Sequence, residues 1–558
     1  MLHDGPRAGL GQGRHRSARS APHAWREPLA LGALAALLCL VVVVAWPHPD
    51  DASAHLYRTF LVNRGTFLWD NLWYGGDYPL ASYSLLYYLL AAPLGNVPVV
   101  VGAVALSVAL FATVIRREWG PVATWPGRAF VVLAMAPLIT GTYAYALGVA
   151  ALLGSLRAVQ GRRRGLALAL AAATLGTSPL AFAFLCLVLI AVVLARPRVD
   201  RGTAVMALGL LGLGGVELIV LHAFHTPGLY PFLVWNLVGV VGVSLAGVLL
   251  ALRLTEGGRL LAALFIVWGG AGIVGYAVRS PLGDNLDRLR YLAFPLMLLA
   301  VIRVRFRPRL LAAVGLAAGL GYAVVPDVVT VIGRHGSADA HRTFWQAAIT
   351  FLHTNAGPQY RVEVVQTSGR WEAYWLPRAG LPLARGWYRQ IDLAENGVLY
   401  HRSITPTAYR TWLRSLAIRY VVLPNAQLDT SGVQAEASLI RSGRSGLVRV
   451  FATPALTIYE LPRPAPLLTG PAPAQISTFD HGRIAGAVAA PGSYDLRVRF
   501  MPYWHRESGA VCLARGSGGM TVVHAASPGR FVLTVPDHPG VLLRTFVSGR
   551  ANAPCDAD

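Results

Sequence analysis

From residue 28 to residue 332 the chain is a succession of apolar runs separated by short polar loops. The runs fall at about 28–46, 99–115, 129–139, 144–156, 166–175, 180–194, 203–221, 232–252, 260–278, 291–302 and 310–332. About 20 apolar residues in a helix cross a bilayer. The pattern therefore predicts a polytopic α-helical membrane protein with about 11 transmembrane helices. No small-x-small cleavage site precedes the acids after Trp46, so 28–46 is read as an uncleaved first span. The stretch 80–94 is apolar and tyrosine-rich but short, and Pro93, Gly95 and Pro98 break it. It is expected to lie at the outer interface with its tyrosines at headgroup level.

Beyond about Gly333 the pattern changes. Strand-like segments appear at 362–365, 418–423, 447–451, 456–461, 494–500 and 530–535, and helical ones at 341–352 and 406–416. A proline-rich stretch, 461–473, reads as a linker. The predicted organisation is a disordered basic cytoplasmic tail, 1–27, and a transmembrane domain, 28–332, whose first outer loop is 47–98. An α/β module, 333–463, and a β-sandwich-like module, 464–558, follow, both extracytoplasmic.

Composition agrees with a membrane assignment. Of 558 residues, 54% are hydrophobic and only 14% charged, against roughly 25% charged in soluble domains. The net charge of +22 comes mostly from arginines in short loops. Clusters at 116–128, 157–164, 196–201, 253–259 and 303–309 all fall on one side of the predicted spans. That is the positive-inside pattern, so the charge reports orientation and not nucleic-acid binding. It puts the N-terminus in the cytoplasm and the C-terminal region outside a plasma membrane. Cys39 and Cys186 lie in apolar runs, whereas Cys512 and Cys555 lie in the polar region and can pair if it is extracytoplasmic. There is no phosphate-binding glycine loop, no zinc-type cysteine spacing and no pair of broken-helix halves of the transporter kind.

Candidate chemistry starts where the first span ends. Asp50 and Asp51 are costly there unless they face water, a cation or a substrate. Such carboxylates can deprotonate an acceptor hydroxyl or, with His55, hold a divalent cation (Mg or Mn) on a phosphate. His55 and Arg58, one helical turn apart, could share a face with Asp51 and bind metal and phosphate respectively; an ordinary interfacial histidine is the alternative for His55. Asp70, Trp73 and Asp77 lie in an aromatic-rich segment suited to sugar rings; solvated acids in an interfacial aromatic belt are the alternative. Arg279, Arg288 and Arg290 stand on the outer side, against the positive-inside trend, where a lipid phosphate or local pairing with Asp284 and Asp287 would account for them. Glu217, followed by His222 and His225, is an intramembrane acid near a span's outer end. The aromatic clusters 370–375 and 385–390 are read as a wall over the membrane cavity or as a structural core.

An early span, acids at once in the first outer loop, an interfacial segment, many spans and a large outer C-terminal region together resemble the GT-C membrane glycosyltransferases. His48-Pro49-Asp50-Asp51 is similar to the His-Pro-Asp-Glu signature of some mannosyltransferases there, with Asp51 in place of Glu. The wider stretch 51–88 is similar to a bacterial multispan group labelled 6-pyruvoyl-tetrahydropterin synthase-related. Its pattern is met by Asp51, His55, Arg58, Trp69-Asp70, Trp73-Tyr74-Gly75-Gly76 and Tyr78-Pro79. The zinc-binding histidines of the soluble synthase have no counterpart. The resemblance implies a GT-C-like fold and transfer of a sugar from a polyprenyl-phosphate donor to an envelope glycan or protein, at the outer face of a bacterial plasma membrane. Asp51 would be base or metal ligand, Asp50 its partner, and Arg288 and Arg290 would hold the lipid phosphate. A non-catalytic envelope assembly protein of the same fold and a lipid or sugar transporter are the alternatives.

Overall fold

The computed structural model describes residues 25–46, 48–81, 83–196, 200–224, 228–334, 336–430, 432–536, 539–548 and 555. The predicted tail lies almost wholly outside them, as does His225. The first part is helical: α1 (Arg26–Ala45), α2 (Ala52–Asn63), α3 (Tyr87–Leu94), α4 (Asn96–Trp119), α5 (Thr124–Leu133), α6 (Ala136–Thr140), α7 (Tyr143–Gln160), α8 (Arg164–Thr177), α9 (Pro179–Leu194), α10 (Arg201–Ala223), α11 (Val234–Ala251), α12 (Gly258–Ala277), α13 (Arg290–Val304) and α14 (Arg309–Arg334). Six stretches among the described residues are long and apolar enough to cross a membrane: α1, the run Asn96–Thr140, α10, α11, α12 and α14. Other predicted runs form shorter helices. The 14 residues of α8 and 16 of α9 reach only about 21–24 Å at 1.5 Å per residue. Ser178 and Pro179 set the break between them, the serine hydroxyl accepting from the Ala181 amide at 3.3 Å. Asp200 caps α10 in the same way, accepting from the Thr203 amide at 2.9 Å. α10 packs on α8 and α9 and leaves Leu208, Leu211 and Leu218 exposed.

The segment before α4 differs from expectation. Leu85, Leu86, Leu89 and Leu90 point outward, as an interfacial segment requires, but Tyr87 and Tyr88 are buried. Their hydroxyls find inward partners, Asn96 Oδ1 at 3.0 Å for Tyr87 and the His55 ring at 3.1 Å for Tyr88. A buried tyrosine needs such a partner, and this one outcompetes the headgroup layer.

Past α14 come α15 (Arg342–Asn355), β1 (Arg361–Val364), α16 (Glu372–Arg378), α17 (Arg389–Glu395), α18 (Pro406–Ser415), β2 (Ile418–Pro424), α19 (Gln434–Arg441), β3 (Val448–Ala452) and β4 (Leu456–Glu460). They build a sheet of order β1-β2-β4-β3, with β1 and β2 parallel and the other pairs antiparallel. Trp345, Leu352, Val362 and Val422 pack on one face, and Leu413, Val421 and Leu439 on the other. Next are β5 (Leu468–Thr469), β6 (Ala474–Asp480), β7 (Arg483–Val488), β8 (Gly492–Arg499), β9 (His505–Ser508), β10 (Val511–Arg515), β11 (Met520–Ala525), β12 (Gly529–Thr534) and α20 (Pro539–Ser548). They form two four-stranded antiparallel sheets, β10-β11-β8-β5 and β6-β7-β12-β9. Alternate residues of both, such as Tyr494, Leu496, Leu513, Ile484 and Phe531, fill one shared core. A disulfide joins Cys512 to Cys555.

The segment 69–78 ties these parts together. Asp70 and Asp77 exchange backbone hydrogen bonds at 3.0 Å and close it into a loop. Gly76 is required inside the loop, since its φ is +126° and a Cβ there would stand 2.0 Å from the Trp69 ring. Arg58 of α2 forms a buried ion pair with Asp77, with its guanidinium 4.9 Å from the Trp73 ring and 5.4 Å from that of Tyr388. Tyr57 donates to Asp70 at 2.8 Å, and His481 of the sandwich meets the same carboxylate at 2.9 Å. The α/β module docks through Leu383 N to Leu72 O (2.9 Å) and Trp73 Nε1 to Ala373 O (3.0 Å). The sandwich docks through Arg499 N to Gly75 O (2.8 Å).

Truncating Arg58 would leave Asp77 buried without its cation. Arg58→Ala is expected to destabilise the protein by about 3–5 kcal/mol, read as a lower thermal midpoint and faster proteolysis of the outer modules. Arg58→Met combined with Asp77→Leu, which removes both charges, should recover most of the loss.

Candidate functional site

The turn after α1 is held from below. Trp46 Nε1 donates to Ile139 O at 3.2 Å and the Asp51 amide to Thr140 O at 3.0 Å, both at the end of α6. Asp51 occupies the N-cap position of α2 yet makes no side-chain capping bond, so its carboxylate is available to other groups. It faces Arg288 at 3.7 Å, with 22% of its side-chain surface open. Burial pushes the Asp51 carboxyl up to about 6, with Arg288 pulling the other way and Asp50 adding repulsion. Arg288 belongs to the 3-10 turn Gly283–Leu289 and stands 5.7 Å from the Tyr145 ring. Asp50 turns the other way and pairs with Arg334, in the last turn of α14. Burial raises its carboxyl too, against a hydrogen bond and charge from Arg334.

The Asp50–Arg334 pair borders a cavity of about 180 Å³ between the helices and the α/β module. Trp46, His48, Ser337, His341 and Trp371 also line it. The His48 ring lies edge-on to His341 at 4.6 Å and to Trp371 at 5.4 Å, and burial with the neighbouring histidine lowers its pKa. Close by, Asp339 Oδ2 is buried with no hydrogen-bond partner among the described residues. Tryptophan faces beside carboxylate, imidazole and hydroxyl groups are the surroundings a hydroxyl-rich ring needs.

The other expected site residues are placed differently. His55 is buried in a cage of Tyr83, Tyr87, Tyr88 and Tyr143, with ring centroids 5.1–5.8 Å away. Burial, with Arg288 and Arg58 nearby, pulls its pKa down to about 3. It is a neutral core histidine. Arg58 is held by Asp77, and Asp70, Trp73 and Asp77 belong to the buried docking loop. Arg290 is occupied by Asp287 and Asp327, and Arg279 is exposed. Glu217 lies half-buried on α10. Of the outer aromatic clusters, Trp371 lines the cavity while Tyr374 and Tyr388 are core. Among the described residues no three His, Cys, Asp or Glu side chains converge as a metal-holding group, and both loop carboxylates face arginines. Among the described residues the donor set, two carboxylates each facing an arginine, does not fit a resident divalent cation.

Arg334 and His341 were not foreseen. Arg334 had a signal: it is a further arginine on the expected outer side, directly after the last predicted span. His341 had none, since only folding brings it to His48. No protein-family model and no curated protein matches the chain.

Glu372 adds a pH-dependent element beside the cavity. It is buried, its Oε2 accepts from Thr367 at 2.7 Å and its Oε1 has no partner among the described residues. Burial pushes its carboxyl up to about 8. The folded protein therefore keeps a proton that the unfolded chain releases near pH 4.5. The resulting stability is full below that pH and is lost as pH rises through about 8. Glu372→Gln, which does not titrate, should lose less of its thermal midpoint between pH 6 and pH 9 than wild type does.

Proposed function

We propose that the protein is a GT-C-type membrane glycosyltransferase. It would transfer a sugar from a polyprenyl-phosphate donor to an envelope glycan or protein at the outer face of a bacterial plasma membrane. The observation that carries this reading is the Trp- and His-lined cavity bordered by the Asp50–Arg334 pair, with the Asp51–Arg288 pair from the next residue of the same turn. Support for the membrane setting comes from the six long apolar helices and their exposed leucines and valines. The Cys512–Cys555 disulfide favours an extracytoplasmic C-terminal region, and the arginine loops favour a cytoplasmic N-terminus.

In the proposed reaction the acceptor hydroxyl attacks the anomeric carbon while the bond from that carbon to the phosphate oxygen breaks. The hydroxyl proton passes to Asp51, and the phosphate leaves with its charge held by Arg288. A carboxyl with a pKa of about 6 is ionised at neutral pH yet more basic than a free aspartate, which suits a general base. Arg288 takes the phosphate role expected of Arg288 and Arg290 together, because its one carboxylate contact is loose, 3.7 Å to Asp51, whereas Arg290 is held by both Asp287 and Asp327. One observation favours the assembly-protein reading instead: both loop carboxylates are engaged by arginines.

The test uses protein reconstituted in liposomes with a panel of polyprenyl-phosphate sugars, with and without Mg²⁺ or Mn²⁺, and reads donor binding and transferred product separately. Asp51→Asn should keep donor binding and lose transfer by about 10²–10⁴-fold. Wild-type kcat/KM, which reports the donor-free enzyme, should fall on the acid side of about pH 6, and Arg288→Gln should move that limb to higher pH by removing the cation that holds the carboxyl down. Full activity in Asp51→Asn would sink the base assignment. Binding without transfer by wild type would favour the assembly reading, and no binding to any donor would remove the glycosyltransferase reading.

A further inference from the structure

α11 and α14 both pack on α13 but leave a groove of about 590 Å³ between them. Gly242 of α11 and Gly315 of α14 line it, and a Cβ added at either would meet nothing within 4 Å. Met297 and Val301 of α13 line it as well. Leu249 and Leu311, also in its walls, are exposed, so the groove opens sideways, toward hydrocarbon in the proposed membrane setting. Between Gly239 and Arg253 it runs beside α11 for about 21 Å at 1.5 Å per residue. Half the hydrocarbon core of a bilayer is only ~15 Å thick, so the groove has the length to seat an extended acyl chain.

The two ends differ. At one, the Tyr322 ring lies against Gly239, where a Cβ would stand 2.2 Å from it, and the Tyr322 hydroxyl donates to Asp287. That end is closed. At the other stands Arg253, the one charged side chain among the described residues that line the groove. It is exposed, with its guanidinium 5.5 Å from the Phe306 ring, and among the described residues no carboxylate pairs with it. Arg305, Arg307 and Arg309 are exposed at the nearby α13–α14 connection, and Glu256, in the α11–α12 turn, is the neighbouring acid. Apolar walls take a hydrocarbon chain, and a basic mouth between membrane helices takes an anionic headgroup.

We propose that the groove holds an acyl chain of an anionic phospholipid, with the lipid phosphate on Arg253. The lipid enters at the arginine-rich end, which the proposed topology puts at the cytoplasmic face, opposite the Asp50–Asp51 turn. There it fills the gap between α11 and α14. The site requires the membrane setting proposed above but not sugar transfer.

The experiment takes the full-length protein, stripped of lipid in detergent, and titrates its thermal midpoint in mixed micelles with dioleoylphosphatidylglycerol, dioleoylphosphatidylcholine or a polyprenyl phosphate. Phosphatidylglycerol should raise the wild-type midpoint saturably by a few degrees. Phosphatidylcholine should need about tenfold more for half the effect, a difference of about 1.4 kcal/mol. Arg253→Gln should lose that preference. Gly242→Phe combined with Gly315→Phe, whose rings occupy the groove from both walls, should show no saturable rise. An equal wild-type response to the two phospholipids overturns the proposal, as does an unchanged titration in the double variant. A response to polyprenyl phosphate alone would give the groove to the sugar donor, and self-association abolished by the double variant with the lipid response intact would give it to a second copy; either overturns it. If the double variant does not fold, an unchanged preference in Arg253→Gln overturns it. Recovery of the protein in the membrane fraction checks the setting separately, and sugar transfer does not enter the readout, so its failure leaves this result unaffected.

Discussion

The buried ion pair between Arg58 and Asp77 is the constraint on which the arrangement rests. Neither charge is tolerable alone in so dry a place. Their pairing forces the loop 69–78 back onto α2, and the Trp73 and Tyr388 rings close over the guanidinium. Tyr388 belongs to the α/β module, so the cation is fully covered only when that module is docked. The loop then turns its own backbone groups outward. Leu72 O, Gly75 O and the Trp73 indole become the points at which the two outer modules attach. One local electrostatic requirement thereby sets how the helical part meets everything after α14.

The candidate site inherits that seam. Asp50 and Asp51 lie at the N-terminal end of α2, the same helix whose second turn ends with Arg58. Arg334 arrives from the end of α14, and His341 and Trp371 from the module that the loop docks. No one segment could build this cavity. It exists because α2 is fixed at one end by Thr140 O and near its middle by Asp77. Burial at the same seam raises the Asp50 and Asp51 carboxyls, so docking and acid–base chemistry share one physical cause.

What was legible in the sequence was what depends on local pattern. Apolar runs translate directly into helices because hydropathy is a property of the segment itself. Strand segments such as 418–423 were legible for the same reason. Asp50 and Asp51 stood out because acids directly after an apolar run need an explanation. His55 and Arg58 were misplaced because their partners are chosen by the fold. Nothing in the spacing says that Arg58 will select Asp77, 19 residues on, in preference to a phosphate. Nor does it say that His55 will be enclosed by tyrosines, one of them from α7. Arg290 was misassigned on the same ground: its partner Asp327 lies across an interhelical contact, on α14. The number of spans was least legible, since helices of 14 to 16 residues fall between a full crossing and a buried core helix.

The charges of the turn nearly cancel, two carboxylates against Arg288 and Arg334, and this bears on how the proposed chemistry would begin. A phosphate entering such a site meets no free arginine among the described residues of the turn. It must draw a guanidinium from a carboxylate, and Arg288 is the looser of the two, 3.7 Å from Asp51 and partly open to solvent. Drawing it away removes the charge that lowers the Asp51 pKa. The carboxylate then becomes a stronger base at the moment the donor is seated. Linkage requires the converse: a protonated Asp51 holds Arg288 less tightly, so donor phosphate and the proton on Asp51 favour each other. In such an arrangement the engaged carboxylate is a resting state, and the Asp51–Arg288 pair carries within itself the positive charge that the donor phosphate would need.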